Sequence, residues 1–439
     1  MNILWVTNVP LPEASLLMEE RPLPFGGWLI NTATLLAAEK NISLKIAFPK
    51  KGISEGLTLK GEHICYYPFP IEAYKSSMGT EDSQYLKRII EKVSPDLVHI
   101  FGTESSHSLA IVNICSEKNI PCVISIQGLV SFIAKHYTNG LPLLVQYKYT
   151  IRDLIKLENI KKQQKKFAHR GEYEKEALRK VKHIIGRTTW DYTCTRLINP
   201  NSNYYYCNET LRNEFYNHTW KFDHCEKYSI FLSQGSYPIK GLHFMLEAMP
   251  LIIKRFPQTK LYIGGQDITN IEGLKGRLRV TGYAKYIRSL VRKNNLQSRV
   301  IFTNPLDEIQ MCMRLKKSHV FVCPSTIENS PNSLGEAMML GVPSVVANVG
   351  GIPDILTHNK EGYIYQGDAP YMLAHYICEV FENREVAEGF SIKAKERARN
   401  LYNKEQNHKR LLEIYNEVNS PKEICRERES FEEKISFYQ

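Results

Sequence analysis

Apolar runs short enough to be buried strands alternate with segments of helical periodicity along most of the 439 residues. Strands are predicted at 1–9, 43–48, 96–101, 122–126, 181–186, 228–233, 261–263, 300–303, 319–323 and 342–347. Helices are predicted at 28–39, 105–119, 242–256, 285–294, 307–317, 371–383 and 385–419. Strands that alternate with helices are typical of a parallel, doubly wound sheet, so the chain is predicted to be α/β.

A chain of this length is too long for one hydrophobic core and fits two domains. The alternating pattern is lost in a segment rich in Asn and Tyr that ends near residue 228, which is typical of a connection between domains. We therefore predict two Rossmann-like, doubly wound domains at 1–206 and 229–395. A linker at 207–228 joins them, and a helix and tail follow at 396–439.

The stretch 319–352 predicts a strand, a polar loop, a helix and a second strand. Its opening apolar run ends at Pro324. Ser330 and Pro331 are typical of an N-cap and a first helical position. Gly341 stands where the helix should stop. The unit therefore ends one strand at a loop that leads directly into a helix N-terminus.

Two carboxylates flank that helix N-terminus. Glu328 lies in the loop and Glu336 lies one to two turns inside the helix, and Pro331 prevents one continuous helix through both. Glu336 is placed to accept hydrogen bonds from two adjacent ribose hydroxyls. Between the carboxylates, free backbone N–H groups and partial positive charge suit a phosphate; these groups belong to Asn332, Ser333 and Leu334. The pattern predicts a site for a nucleoside diphosphate.

Further candidate residues follow predicted strands, and ligands of doubly wound sheets bind outside the carboxyl ends of strands. Gly26 and Gly27 would let a phosphate or sugar approach the backbone, although a tight turn explains them equally well. Gln127 is a candidate for hydrogen bonding to a sugar hydroxyl. Arg187 is a candidate for binding an anion in the cleft or for an ion pair with a carboxylate. His136 is a candidate ligand or a structural histidine.

Composition narrows the classes of protein to which the chain can belong. Hydrophobic residues at 43% and charged residues at 23% are typical of a globular protein. A net charge of +11 favours an anionic substrate or membrane face, and no nucleic-acid motif accompanies it, so we expect no nucleic-acid partner. Ten scattered cysteines without C-x-x-C, and no D-x-D, predict reduced thiols and no bound metal. Without a signal-peptide pattern or a membrane-spanning apolar run, the expected location is the cytoplasm.

A basic segment at 146–183 interleaves lysines and arginines with aromatic and aliphatic residues. Helices with one basic and one apolar face can lie on an anionic membrane. A solvated helical face would have much the same composition. The segment therefore leaves two hypotheses open, a surface in solvent and a peripheral contact with the inner face of the plasma membrane.

The stretch around the two carboxylates resembles retaining glycosyltransferase family 4, the glycosyl transferases group 1. The likeness rests on the E-x7-E spacing of Glu328 and Glu336, on Pro324-Ser325 before it, and on E-A-M-x-x-G-x-P-x-V from Glu336 onward. It implies a GT-B fold, in which an acceptor-binding first domain and a nucleotide-sugar-binding second domain face a central cleft. It also implies that the last helix crosses back to the first domain.

The resemblance further implies roles for individual residues. Glu328 would contact the donor sugar and steady its positive transition state, and Lys240, which matches the lysine of G-R-x4-K-G, would contact the diphosphate. Gly235 replaces the arginine of that motif, which removes one charge that would stabilise the departing nucleotide, and Arg187 is a candidate to compensate. The implied nucleotide-sugar site comprises Gly26, Gly27, Lys240, Glu328, Asn329, Ser330, Asn332, Ser333, Leu334 and Glu336.

The predicted function is retaining, metal-independent transfer of a hexose from a UDP- or GDP-sugar to a glycan or lipid-linked acceptor. Family analogy adds a role in bacterial envelope polysaccharide synthesis, such as capsule, exopolysaccharide or O-antigen synthesis. No cofactor is expected, because the nucleotide-sugar is itself a substrate. Alternatives are a catalytically weak or inactive sugar-nucleotide-binding scaffold, a GT-B epimerase and a phosphorylase. A nicotinamide oxidoreductase is disfavoured, because no G-x-G-x-x-G follows the first strand.

Overall fold

The computed structural model describes residues 1–23, 26–53, 56–70, 80–270 and 280–420 and contains two sheets. The strands of the first are β1 (Asn2–Val6), β2 (Ser43–Lys50), β3 (Leu59–Lys60), β4 (Cys65–Pro70), β5 (Leu97–Phe101), β6 (Cys122–Ser125), β7 (His183–Gly186) and β8 (Asn203–Tyr206). Those of the second are β9 (Glu226–Leu232), β10 (Lys260–Ile263), β11 (Val300–Phe302), β12 (Ser318–Cys323), β13 (Ser344–Ala347) and β14 (Tyr363–Tyr365).

Both sheets are doubly wound. The first has the order β3-β4-β2-β1-β5-β6-β7-β8 and the second the order β11-β10-β9-β12-β13-β14. All neighbouring strands run parallel except β3 and β4. Strand order reverses between β1 and β5 in one sheet and between β9 and β12 in the other, and ligands bind such folds at the carboxyl ends of those strands. The α/β prediction with two parallel-sheet domains is confirmed.

Helices cover the faces of the sheets and connect their strands. In and around the first sheet they span Pro12–Leu17, Trp28–Ala37, Thr80–Val93, Ser106–Glu117, Val130–His136, Leu143–Tyr147, Ile151–Ile155, Ile160–Lys180 and Thr189–Ile198. A short helix, Glu214–Asn217, lies in the connection. Around the second sheet they span Leu242–Arg255, Gly282–Lys293, Glu308–Lys317, Asn332–Leu340, Ile352–Ile355, Pro370–Glu382 and Arg384–Leu401, and Lys404–Asn419 follows. None of the helices in the described ranges is long and apolar enough to cross a membrane.

The last helix packs on the first sheet. Leu411, Ile414 and Tyr415 share a buried cluster with Trp5 of β1. The hydroxyl of Tyr415 accepts a hydrogen bond from Trp5 Nε1 at 2.9 Å and lies 2.6 Å from Nδ1 of His99. The chain therefore ends its described part on the domain in which it began.

The prediction of a single charged helix at 385–419 is wrong. The structure has two helices, which end and begin around Tyr402 and Asn403. The Asn403 side chain accepts a hydrogen bond from the backbone N–H of Gln406 and caps the second helix. The first of the two packs beside the helix Asn332–Leu340, so only the second crosses to the first domain. The predicted tail at 421–439 lies outside the described residues.

Candidate active site

The helix N-terminus that the sequence predicts is present. β12 ends at Cys323, a buried loop follows, and the helix Asn332–Leu340 ends at Gly341, whose φ of +82° is left-handed. Pro331 is the N-cap, one position later than predicted for the cap, and no side chain caps this end. The backbone N–H of Leu334 donates to Pro331 O at 3.0 Å, which leaves Asn332 and Ser333 to present N–H groups outward.

Two glycines let the neighbouring loop press on this site. A Cβ at Gly350 would lie 1.8 Å from the carbonyl oxygen of Glu328, and one at Gly351 would lie 2.3 Å from that of Asn329. The backbone N–H of Gly351 donates to the Glu328 oxygen at 3.0 Å. The loop that carries Glu328 is therefore held in place by the loop that follows the neighbouring strand β13.

Glu328 and Lys240 form an ion pair inside the site. Lys240 Nζ donates to Glu328 Oε1 at 2.5 Å, and Ser325 Oγ donates to the same oxygen at 2.7 Å. Lys240 ends a single turn before Gly241, where a Cβ would lie 1.7 Å from Pro324 O, so the lysine is held against the end of β12. Burial lowers the pKa of Lys240, but Glu328 more than offsets this and the pKa is raised.

Glu336 is buried and pairs with a residue that the sequence analysis missed. Arg212 Nε and Nη2 donate to its two oxygens at 2.7 and 2.8 Å, a bidentate arrangement. Burial raises the pKa of Glu336, and the Arg212 guanidinium acts against this. The Arg212 side chain lies over Gly27, where a Cβ would meet it at 2.6 Å. Gly27 thus makes room for arginine, while Gly26 forms a turn at φ +84°.

The first domain contributes a second group of side chains. Gln127 Nε2 donates to Glu209 Oε1 at 2.6 Å, and Arg187 pairs with Oε2 of the same carboxylate. Asn332 Nδ2 lies 3.4 Å from that oxygen, so residues of both domains and of the predicted linker meet at Glu209. The Arg187 guanidinium forms its ion pair with Glu209, whereas only the backbone N–H of Arg187 donates to Asp191.

The remaining predicted residues hold the two domains together. Thr188 Oγ1 donates to Asn329 Oδ1 at 2.7 Å, and the Asn329 amide lies 3.4 Å from Ile126 O. The carbonyl oxygen of His136 accepts from Thr326 Oγ1 at 3.0 Å, so the contact to the second domain comes from the His136 backbone. Ser330 is buried and hydrogen-bonds to Tyr402, and Leu334 is fully buried, so it contributes its backbone and its packing.

Sequence reasoning missed Glu209 and Arg212. Both lie in the predicted linker, 207–228, which has no pattern that points to a site. The only sign of a site in the sequence was the presence of two charged residues, Glu209 and Arg212, close to Leu211 in a segment of Asn, Thr and Tyr. The structure also shows the surroundings of Gly235. A Cβ there would lie 2.8 Å from Leu242 Cδ2 and 3.0 Å from Ile263 Cγ2, so a side chain at this position would point into the core.

Comparisons with known proteins give a family match for part of the chain. Residues 215–397 match a family model described as glycosyl transferases group 1. Spore coat protein SA of Bacillus subtilis (strain 168) is 26% identical over 197 residues, which cover 44% of this chain and 49% of that protein. The chain therefore matches about half the length of this curated relative.

The fold comparison covers nearly the whole chain. Sucrose-phosphate synthase from Thermosynechococcus elongatus has a TM-score of 0.69 at 16% identity, over 95% of this chain and 99% of that one. Anabaena HepE in complex with UDP and glucose has a TM-score of 0.64 at 14% identity, again over 95% of this chain and 99% of that one. The chain thus has the GT-B fold, and residues 215–397, most of them in its second domain, match the model of the glycosyl transferases group 1.

Proposed function

We propose that this chain is a glycosyltransferase that moves a hexose from a nucleotide-sugar to an acceptor bound by the first domain. One observation carries the proposal: the helix N-terminus at Asn332 lies between two carboxylates, Glu328 and Glu336, each held by a cation at hydrogen-bonding distance. A helix N-terminus suits a phosphate, and buried carboxylates suit sugar hydroxyls. The family match of the second domain supports a sugar-nucleotide as the donor.

The chemistry requires negative charge to be stabilised where the diphosphate departs. Lys240 and the helix N-terminus provide fixed donors for that charge, so the barrier falls without a metal ion. Among the described residues, no group of three or more His, Cys, Asp or Glu side chains is placed to hold a metal ion. Glu328, already oriented by Lys240 and Ser325, would face the positive charge that develops on the sugar. Retention of configuration follows from the family resemblance.

The nucleotide of the donor is UDP or GDP in this proposal, and the solved HepE complexes with UDP favour UDP as the first to test. Purified protein is titrated with UDP, GDP, ADP and CDP while its melting temperature is recorded. A ligand that binds only the folded state raises that temperature with ligand concentration. A selective rise with one nucleotide supports the site, and no rise with any of them contradicts it.

We propose a lipid-linked acceptor, such as a growing envelope glycan, and the surface of the first domain supports this. Large apolar side chains between residues 143 and 157 are 57% to 85% exposed; they are Leu143, Leu144, Tyr147, Ile151, Leu154, Ile155 and Leu157. Exposed patches of this kind mark interaction sites. We call residues 143–157 the apolar patch.

The charges around the apolar patch fit an anionic membrane. Lys148 and Lys156 are exposed within it, and Lys162 is exposed shortly after it. Its one acidic residue, Asp153, is buried in a capping box, and Glu158, which follows the patch, pairs with Lys166. Basic side chains around exposed apolar ones favour binding to anionic lipid, with the protein held peripherally on the cytoplasmic face.

A nucleotide-binding scaffold without turnover is the second candidate. The packing of Gly235 against Leu242 and Ile263 favours it, because no cation reaches the diphosphate from that position. The two candidates are separated by incubating the protein with UDP-glucose or GDP-mannose and an acceptor extract. Nucleotide binding without release of UDP or GDP would identify the scaffold.

A further inference from the structure

The carboxylate of Glu209 lies at the junction of both domains and accepts from three donors. These are Gln127 Nε2 at 2.6 Å, the Arg187 guanidinium, and Asn332 Nδ2 at 3.4 Å. Asn332 is the first residue of the helix whose N-terminus is the proposed phosphate site. We propose that the three donors form a phosphate subsite for which the Glu209 carboxylate and the donor diphosphate compete. This rests on the proposed function and deepens it.

The donors suit a phosphate at least as well as a carboxylate. In the structure, the Arg187 guanidinium and the side-chain NH2 groups of Gln127 and Asn332 all point toward the Glu209 carboxylate. Planar guanidinium groups recognise both carboxylates and phosphates. The helix N-terminus adds partial positive charge on the Asn332 side. The Glu209 carboxylate therefore occupies a place that has the chemistry of an anion site.

The Arg187 guanidinium has a donor that Glu209 leaves unused. The residue is 5% exposed, and its Nε has no hydrogen-bond partner among the described residues. A buried N–H without a partner is unfavourable. Glu209 accepts from Nη1 and Ile126 O from Nη2 at 3.3 Å, so the guanidinium is not saturated by its present partners.

There is also space into which Glu209 can turn. Glu209 and Arg187 line a cavity between the first sheet, the helix Trp28–Ala37 and the last helix. Its wall is partly polar, and the polar side chains there already have hydrogen-bond partners; they include Thr32, Ser125, Asn208 and Asn407. The proposed displacement is a rotation of the Glu209 side chain toward this cavity.

The competing explanation is that Arg187 only neutralises Glu209. A double-mutant cycle separates the two, using calorimetric titration of UDP into the full chain and into Glu209→Gln, Arg187→Met and the double variant. With the competitor removed, Glu209→Gln should bind UDP about tenfold tighter, the size expected for losing one nearby charge. Arg187→Met should weaken binding about tenfold in the Glu209→Gln background, where no carboxylate competes and the loss reports the phosphate contact alone.

The outcomes are distinct. If Arg187→Met has no effect in the Glu209→Gln background, Arg187 serves only Glu209 and the subsite is refuted. UDP binding by Glu209→Gln that is no tighter than wild type refutes it too. A gain that appears equally with uridine, which lacks phosphate, places the effect elsewhere and also contradicts the proposal. If the wild-type protein binds no nucleoside diphosphate, the proposed function itself fails.

Two controls keep the experiment interpretable. Glu388→Gln removes an exposed carboxylate that pairs with Arg384, and it should leave UDP affinity unchanged. Glu209→Asp keeps the charge beside Arg187, so it is the variant to use if Glu209→Gln does not fold. Its shorter side chain cannot reach all three donors, so it should bind UDP more tightly than the wild type. Equal or weaker binding by Glu209→Asp would overturn the proposal.

Discussion

Arg212 links three parts of the molecule through a single side chain. It starts in the segment between the sheets, lies over Gly27 of the first domain, and grips Glu336 of the second. Both charged groups are largely buried, with side-chain exposures of 13% and 6%. Breaking such a pair leaves an uncompensated charge, which is more costly than losing a surface pair.

We therefore predict that Arg212→Met lowers the free energy of unfolding by about 3 kcal/mol. Adding Glu336→Gln should restore part of that loss, because no charge is then left buried. Urea denaturation of the two variants and the wild type measures both effects. Equal stability of Arg212→Met and the wild type would contradict the role given to the pair.

The same variant should become sensitive to pH. Burial already raises the pKa of Glu336, and loss of Arg212 raises it further. Between the unfolded and folded pKa values the folded state binds more protons than the unfolded state, so stability falls as pH rises through this window. The deficit of Arg212→Met against the wild type should be smaller at pH 5 than at pH 8, as urea denaturation at both pH values will show.

Glu104 should give a pH dependence of its own in the wild type. Burial raises the pKa of Glu104 to about 7, and Glu174 adds to the rise, while Arg170 and the Asn8 amide act against it. Because the folded pKa lies above the unfolded one, stability is lost as pH rises from about 4.5 to 7. Glu104→Gln should gain about 2 kcal/mol on the wild type between pH 5 and pH 8, measured by urea denaturation at both values.

At the scale of elements, the sequence was most informative where several local signals agree. The helix Asn332–Leu340 is marked by Pro331 before it and Gly341 after it, so its position could be predicted to within about two residues. β4 was missed because Cys65–Pro70 contains two prolines, which suit an edge or turn better than a strand. β8 was missed because its residues, Asn203–Tyr206, are polar and aromatic with no clear alternation.

The candidate site likewise contains residues that the sequence predicts and residues that it does not. Glu328, Glu336 and Lys240 could be proposed as candidates because they stand in motifs with fixed spacing. Arg212 and Glu209 could not, since Arg212 meets Glu336 across 124 positions of the chain and Glu209 meets Asn332 across 123. No local periodicity records which charge will face which. The ion pairs are therefore properties of the fold.

The apolar patch is an element whose role can be tested directly. Leu144→Glu with Ile155→Glu places two negative charges on side chains that are 85% and 69% exposed. We expect this variant to lose binding to phosphatidylglycerol vesicles in a sedimentation assay, because both apolar insertion and attraction to the lipid are removed. Its melting temperature should not change, since neither side chain belongs to the core.

The matched control carries the same change on other exposed apolar positions. Leu197 and Ile392 are 77% and 71% exposed and lie outside the patch. Leu197→Glu with Ile392→Glu should sediment with vesicles as the wild type does. If both double variants lose binding equally, the attraction depends on net charge alone and the apolar patch has no specific role.

At the scale of the whole molecule, the last helix ties the end of the described chain to its beginning. Tyr415 accepts from Trp5 and shares a hydrogen bond with His99, whose other ring nitrogen lies 2.7 Å from Ser125 Oγ. All of this is buried, and burial lowers the pKa of His99 to about 3. The helix after Asn403 is thus held to the first domain by a polar network as well as by apolar packing.

Removing one hydroxyl from that network should destabilise the first domain without touching the candidate active site. Tyr415→Phe leaves Trp5 Nε1 buried without an acceptor, which costs about 1–3 kcal/mol. We expect a lower urea midpoint for Tyr415→Phe and no change for Tyr371→Phe, whose ring is 63% exposed. UDP affinity should be equal in both variants, because the hydrogen bonds of the Tyr415 hydroxyl go to Trp5 and His99 and not to Glu209 or Asn332. A loss of UDP affinity in Tyr415→Phe alone would mean that the packing of the last helix on the first domain affects the geometry of the cleft. The contact between that helix and the first domain would then be coupled to nucleotide binding.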